Sequence, residues 1–198
     1  MSEDSDLRSI EIKQRVNGSP YVRLSGTFSL DAIQHISGLL GGESTAQVIK
    51  RPPLIEIPSV LPSQFFKSLI SEINVAYTYQ LYTSTYVCLR KLFENLIIEL
   101  LRKKFGTTEL NLYYWSEKGR FHDFSKLIEN FESKVNDFRL HTSSFDQSFF
   151  DFLKNFREVA SANAHSIDIY TDSKEFEDKR ERMNHCVALL CNVINGIT

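Results

Sequence analysis

The chain has 198 residues, 42% of them hydrophobic and 12% aromatic, and its 23 basic and 25 acidic residues leave a net charge of −2. A chain of this length buries enough surface to fold without disulfide or metal staples. Its charge excludes a protein that coats long nucleic acid by bulk attraction alone, leaving only a local basic patch open.

No apolar run approaches the roughly 18 residues that a bilayer span requires, and the acidic, polar opening Met1 to Asp6 is unlike a signal peptide. Cys88, Cys186 and Cys191 form no C-x-x-C pair, so a reduced, cytoplasmic chain with buried thiols is expected. The five histidines show no zinc-binding spacing, and no metal or cofactor is expected. Gly38, Gly41 and Gly42 lack the following Lys and Ser/Thr of a phosphate-binding loop, and no nucleophilic Ser or Cys motif is present.

All five prolines lie in the first 62 residues, and residues 63–198 contain none. Proline removes a backbone donor and clashes inside a helix, so the proline-free stretch favours an α domain. The boundary is placed at residue 60. In residues 1–60, Ile10, Ile12 and Val16 precede the turn signal Asn17-Gly18-Ser19-Pro20, and Tyr21 to Leu24 follow as a β-prone run. A short helix is expected from Ser29 through Leu30, Ile33, Ile36 and Leu40, ending at Gly41-Gly42. Residues 43–62 form a connector with a short strand at Leu54 to Ile57.

Helices follow. The first is expected over about Ser63 to Leu81, on Phe66, Leu69, Ile70, Ile73, Tyr77 and Leu81, with Thr83-Ser84-Thr85 either a break or a continuation. The clearest segment is Tyr86 to Leu101, where Tyr86, Leu89, Leu92, Phe93, Leu96, Ile97, Leu100 and Leu101 make one buried face. Gly106 suits its end, and Arg102, Lys103 and Lys104 suit its negative dipole end or a phosphate-contacting patch. A third helix is expected over His122 to Phe138, a fourth from Ser144 or Phe145, and a last over Lys174 to Ile194. The fold class is therefore mainly α: an up-and-down bundle of four or five helices over 61–198, with a small α/β extension, a β-hairpin plus short helix, over 1–60.

Two places carry polar residues that apolar packing does not require. Arg90 and Glu94 are four apart and abut the apolar face of the clearest helix. Arg157, Ser161 and His165 recur at every fourth position, among the small residues Ala160, Ala162 and Ala164. A guanidinium binds phosphate in two-point fashion and an imidazole moves a proton near neutral pH. Together they suit binding and cleavage of an RNA phosphodiester, with the 2′-hydroxyl as nucleophile and no metal. The structural reading of the same residues has His165 and Asn163 bonding neighbouring helix ends, and Arg157 pairing with an acid such as Glu94.

The segments Tyr86-Val87-Cys88-Leu89-Arg90-Lys91-Leu92-Phe93-Glu94-Asn95-Leu96 and Arg157 to His165 together resemble a HEPN-type helical domain, over about residues 63–197. The first is similar to an Arg-x-x-x-Glu helix, the second to an Arg…Asn…Ala-His helix. The resemblance implies a bundle of four or five helices that dimerises. It also implies either a metal-independent endoribonuclease of a toxin–antitoxin or antiviral system, or a non-catalytic relative. In the enzyme, two protomers would bring Arg157 and His165 together around an RNA phosphate, with Asn163 orienting the base or the scissile group. In the non-catalytic form, Arg90, Glu94, Arg157 and His165, together with Ser161, would be a polar network fixing helix register. Seven residues, Glu158 to Ala164, separate Arg157 from His165, against four to six in the active motif, and Glu158 stands where an asparagine is common. The expected partners are a second copy of the chain, RNA, and a protein docking on residues 1–60, with no membrane.

Overall fold

In the computed structural model, residues 9–16, 19–27, 47–48, 52–165 and 173–197 are described, with side chains over 52–163 and 173–197. The chain divides into two units, residues 1–53 and 54–198.

In the first unit, β1 (Ser9–Val16) pairs antiparallel with β2 (Ser19–Thr27), and β3 (Gln47–Val48) pairs antiparallel with the other edge of β1. The register places Ile10 opposite Gly26 and Ile12 opposite Leu24, and it shifts between Gln14 and Val16. The short helix expected over residues 29–40 lies outside the described residues.

Among the described residues, the second unit is a bundle of five α-helices: α1 (Gln64–Thr78), α2 (Tyr82–Phe105), α3 (Phe124–Ser133), α4 (Gln147–His165) and α5 (Ser173–Gly196). α2 is its axis and packs against each of the other four. That role follows from its sequence. Leu89, Leu92, Phe93, Leu96, Ile97 and Leu100 are all fully buried, forming an apolar band broad enough to serve several neighbours at once. The far end is filled by phenylalanines. The Phe131 ring meets Phe138, Phe145, Phe149 and Phe150 edge-on, with centroids 4.9–6.1 Å away. No helix among the described residues is long and apolar enough to cross a membrane.

The structure corrects several boundaries. The break between the first two helices lies at Tyr79 to Leu81, and Thr83 to Thr85 belong to α2. Gln80 takes a left-handed φ of 60°, which ends α1 because L-residues there cannot continue a right-handed helix. The third helix stops at Ser133, and Val135–Phe138 continue as a separate 3-10 turn. A short hairpin precedes it, with β4 (Tyr114–Trp115) paired to β5 (Arg120–Phe121) around Gly119 at φ 63°.

The strand expected at Leu54 to Ile57 is absent. Leu54 and Ile55 are instead fully buried, and two asparagine amides stand in for the missing strand partner. Asn74 of α1 accepts from the Ile55 N–H at 2.9 Å and donates to the Ile55 carbonyl at 2.8 Å. Asn184 of α5 accepts from the Glu56 N–H at 2.7 Å and donates to the Leu54 carbonyl at 2.9 Å. Buried backbone groups must be bonded, and a primary amide offers the donor and acceptor of a peptide unit.

Candidate functional site

Three of the residues singled out from sequence, Arg90, Glu94 and Ser161, meet where α4 packs on α2. α4 begins after Asp146, whose carboxylate accepts from the Ser148 hydroxyl at 2.7 Å and the Phe149 N–H at 2.9 Å. Those bonds make Asp146 the helix cap and hold its pKa below the usual aspartate value, the Ser148 bond contributing most. Phe149, Phe150, Leu153, Phe156 and Ala160 then face the bundle and are buried. Their spacing leaves Arg157 and Ser161 on a flank that stays half-exposed.

Arg90 joins the two helices. Its Nε donates to Glu94 Oε1 at 2.8 Å along α2, and its Nη1 donates across to Ser161 Oγ at 3.1 Å. The Arg90 and Glu94 side chains remain 30% and 27% exposed, so water still reaches the pair. Arg157 does not pair with Glu94. Its Nη2 donates to the neighbouring Glu158 at 3.1 Å, while Arg90 engages Glu94. The structure therefore brings Arg90, Glu94 and Ser161 into one network and holds Arg157 on the same helix as Ser161.

Asn163 is not in that row. It is buried at 7% exposure, and its Nδ2 donates back to the Val159 carbonyl at 3.0 Å. His165 is the last residue of α4, and its side chain lies outside the described residues. Of the three bases after Leu101, Arg102 bonds Glu99 at 2.7 Å and Lys103 Nζ caps the Ile194 carbonyl of α5 at 2.8 Å. Two of these cations thus have partners within the chain.

The thiols follow burial. Burial pushes Cys186 and Cys191 up to about 12, which leaves both protonated and unreactive at neutral pH. Cys88 is raised by burial and by nearby Glu72, against a smaller opposing effect of Lys91. Among the described residues, no group of three His, Cys, Asp or Glu side chains could hold a metal ion.

Sequence reading missed two features. One is the asparagine pair that binds Leu54 to Glu56. Its signal was present: Asn74 sits among Ile70, Ile73 and Tyr77, and Asn184 between Met183 and Val187, where apolar stripes need no amide. The other is an open cleft between α4 and α5, lined by Asp151, Phe152, Asn155, Phe156 and Lys179. Asp151 and Asn155 are four apart, as are Phe152 and Phe156, so one side of α4 carries a polar rim above an aromatic floor.

No protein-family model matches the chain, and no curated protein or solved structure matches it either.

Proposed function

We propose that residues 54–198 act as a HEPN-like dimerisation and interaction module, regulatory rather than catalytic, in a prokaryotic defence or RNA-related system. The observation that carries this reading is the state of the two arginines in the resembling segments. Each is engaged by a carboxylate of its own chain, Arg90 by Glu94 and Arg157 by Glu158. A guanidinium so neutralised attracts phosphate weakly, because a competing anion must displace a carboxylate at contact distance. The same bonds suit a network that fixes the register of α2 against α4. The second copy of the chain is the expected partner, and residues 1–60 would dock a further protein.

Sedimentation velocity across about 1–100 µM protein tests it. A dimer, with no cleavage of mixed RNAs in chelator, is the expected result, and a monomer throughout that range would defeat the reading.

A metal-independent endoribonuclease is the second reading. It is favoured by one observation: the backbone carries Arg157, Ser161 and His165 on a single unbroken helix. At a dimer axis, Arg157 would stabilise charge on an RNA phosphate and His165 would move the proton. His165→Ala decides this point, since metal-independent cleavage present in the wild type must disappear in the variant.

A further inference from the structure

The large hydrophobic side chains that stay exposed are concentrated in one stretch. Of the eight among the described residues, six fall between Ile57 and Val87: two on the segment leading into α1, two on α1, one at the turn after it and one early in α2. Single exposed apolar residues are ordinary, whereas a contiguous group of them marks an interaction surface.

Helical geometry gathers three of the six. α1 and α2 run antiparallel across the turn Tyr79 to Leu81, and at the other end of α1 the Lys91 Nζ sits 5.7 Å from the centroid of the Phe65 ring. On α1, Phe65, Ser68, Glu72 and Val75 recur at spacings of three and four, and all are exposed. On α2, Ser84, Val87 and Lys91 do the same. The two rows lie side by side, since Phe65 meets Lys91, and Glu72 and Lys91 both act on the Cys88 thiol. Phe65, Val75 and Val87, at 44%, 38% and 48% exposure, therefore share one outward face, while the opposite sides of both helices are in the core.

The charges on that face select its partner. Glu72 and Lys91 are the two charged residues of these rows, and neither bonds an opposite charge among the described residues. Glu94, further along α2, is already engaged by Arg90. The two free charges cancel, so the face has no net attraction for nucleic acid or an anionic lipid surface. One cation beside one anion is instead a pattern that complements itself. A two-fold axis between them brings Lys91 of each copy to Glu72 of the other and lays the two apolar groups together.

We propose that this face of α1 and α2 is where two copies of the chain meet, through apolar contact of Phe65, Val75 and Val87 and two reciprocal Lys91–Glu72 ion pairs. The proposal rests on the dimerisation reading and adds the position of its axis, over α1 and α2 and away from Arg157 on α4.

The dimer Kd of the full chain and its variants, from sedimentation velocity, tests it. Val87→Arg sets like charges against each other at the axis and is expected to raise the Kd about tenfold or more. Lys91→Glu and Glu72→Lys, each creating two like-charge contacts, are expected to weaken the dimer in the same direction. The double variant Lys91→Glu with Glu72→Lys is expected to return to within about threefold of the wild type, because the reciprocal pairs re-form with their signs exchanged. All three positions are exposed, and Leu140→Arg, in the loop before α4, is the control that leaves the dimer unchanged. A wild-type chain that stays monomeric overturns the dimerisation reading and this proposal together. A wild-type dimer that Val87→Arg, Lys91→Glu and Glu72→Lys leave unmoved, or that the double variant fails to restore, overturns the proposal alone.

Discussion

Two polar regions of the bundle invite comparison: the asparagine clamp on Leu54 to Glu56, and the seam of Arg90, Glu94 and Ser161. The clamp is neutral. Both functional atoms of Asn74 and of Asn184 are engaged, all against backbone groups of the segment Leu54 to Glu56, in which the Leu54 and Ile55 side chains are fully buried. The seam is charged and unsaturated. Arg90 uses Nε and Nη1, and roughly a third of its side chain still meets water. The difference separates polar residues that complete a fold from polar residues that retain binding capacity. A half-buried amide whose oxygen and nitrogen are both bonded within the chain has little left to offer a partner, whereas a half-exposed guanidinium, even paired with a carboxylate, keeps spare N–H groups for a neutral acceptor.

The sharpest way to break this comparison is to remove one half of the clamp. Asn74→Ala leaves the Ile55 N–H and carbonyl without partners beside a buried side chain. Unsatisfied buried groups cost about 1–3 kcal/mol each. Urea unfolding should therefore show a loss of about 2 kcal/mol or more, and the loss should be nearly independent of salt because no charge is removed. A loss below about 0.5 kcal/mol would mean that water replaces the amide, and that the clamp matters less than the burial of Leu54 and Ile55.

The clamp also shows where sequence reading reached its limit. α2 was legible because eight apolar residues recur at helical spacing and a helix at the centre of a bundle needs that breadth. The five-helix bundle follows from such stripes. The segment at Leu54 to Ile57 misled because buried, β-prone residues bound by side-chain amides look locally like a strand. Its partners lie 19 and about 130 residues away. Gln80 misled in another way: no residue preference marks it as a left-handed position, although its φ is 60°. At the seam, the Arg90–Glu94 half was readable as an i,i+4 pair. The Ser161 half, 71 residues distant, was visible only as a polar residue in a suggestive row. The cleft was illegible because a cavity is defined by the distance between α4 and α5, which no local spacing encodes.

A smaller effect is expected at the seam, and a double-mutant cycle measures it. Arg90→Ala, Ser161→Ala and the pair together should give a coupling of about 0.5–1 kcal/mol, the range of a partly exposed charge-assisted bond. Raising ionic strength from 0.05 to 0.5 M, about a threefold shortening of the screening length, should weaken the Arg90–Glu94 part and leave the Arg90–Ser161 coupling largely intact. Coupling indistinguishable from zero would show that Arg90 does not tie α2 to α4 in solution. The register-fixing role would then be lost, although Arg90 would still be able to contact a partner.

The smallest effect separates the two regions by pH. The clamp contains only neutral amides and does not titrate. The start of α4, which carries one side of the seam, depends on a carboxylate: Arg182 donates to Ser148 at 2.8 Å, and Ser148 donates to Asp146. The folded pKa of Asp146 lies below its ordinary value of 3.8, the Ser148 and Phe149 bonds stabilising the charged form. A carboxylate shifted in this direction contributes its full stability above the unfolded value and loses it as pH falls through the folded value. Asp146→Asn keeps a capping oxygen but removes the proton equilibrium. The thermal midpoints of wild type and variant should therefore differ by a constant amount above about pH 5, with the wild type the more stable. The gap should close as pH falls below about 4. A gap that stays constant through that range would show that the charge of Asp146 contributes nothing to the cap, and that α4 is held there by hydrogen-bond geometry alone.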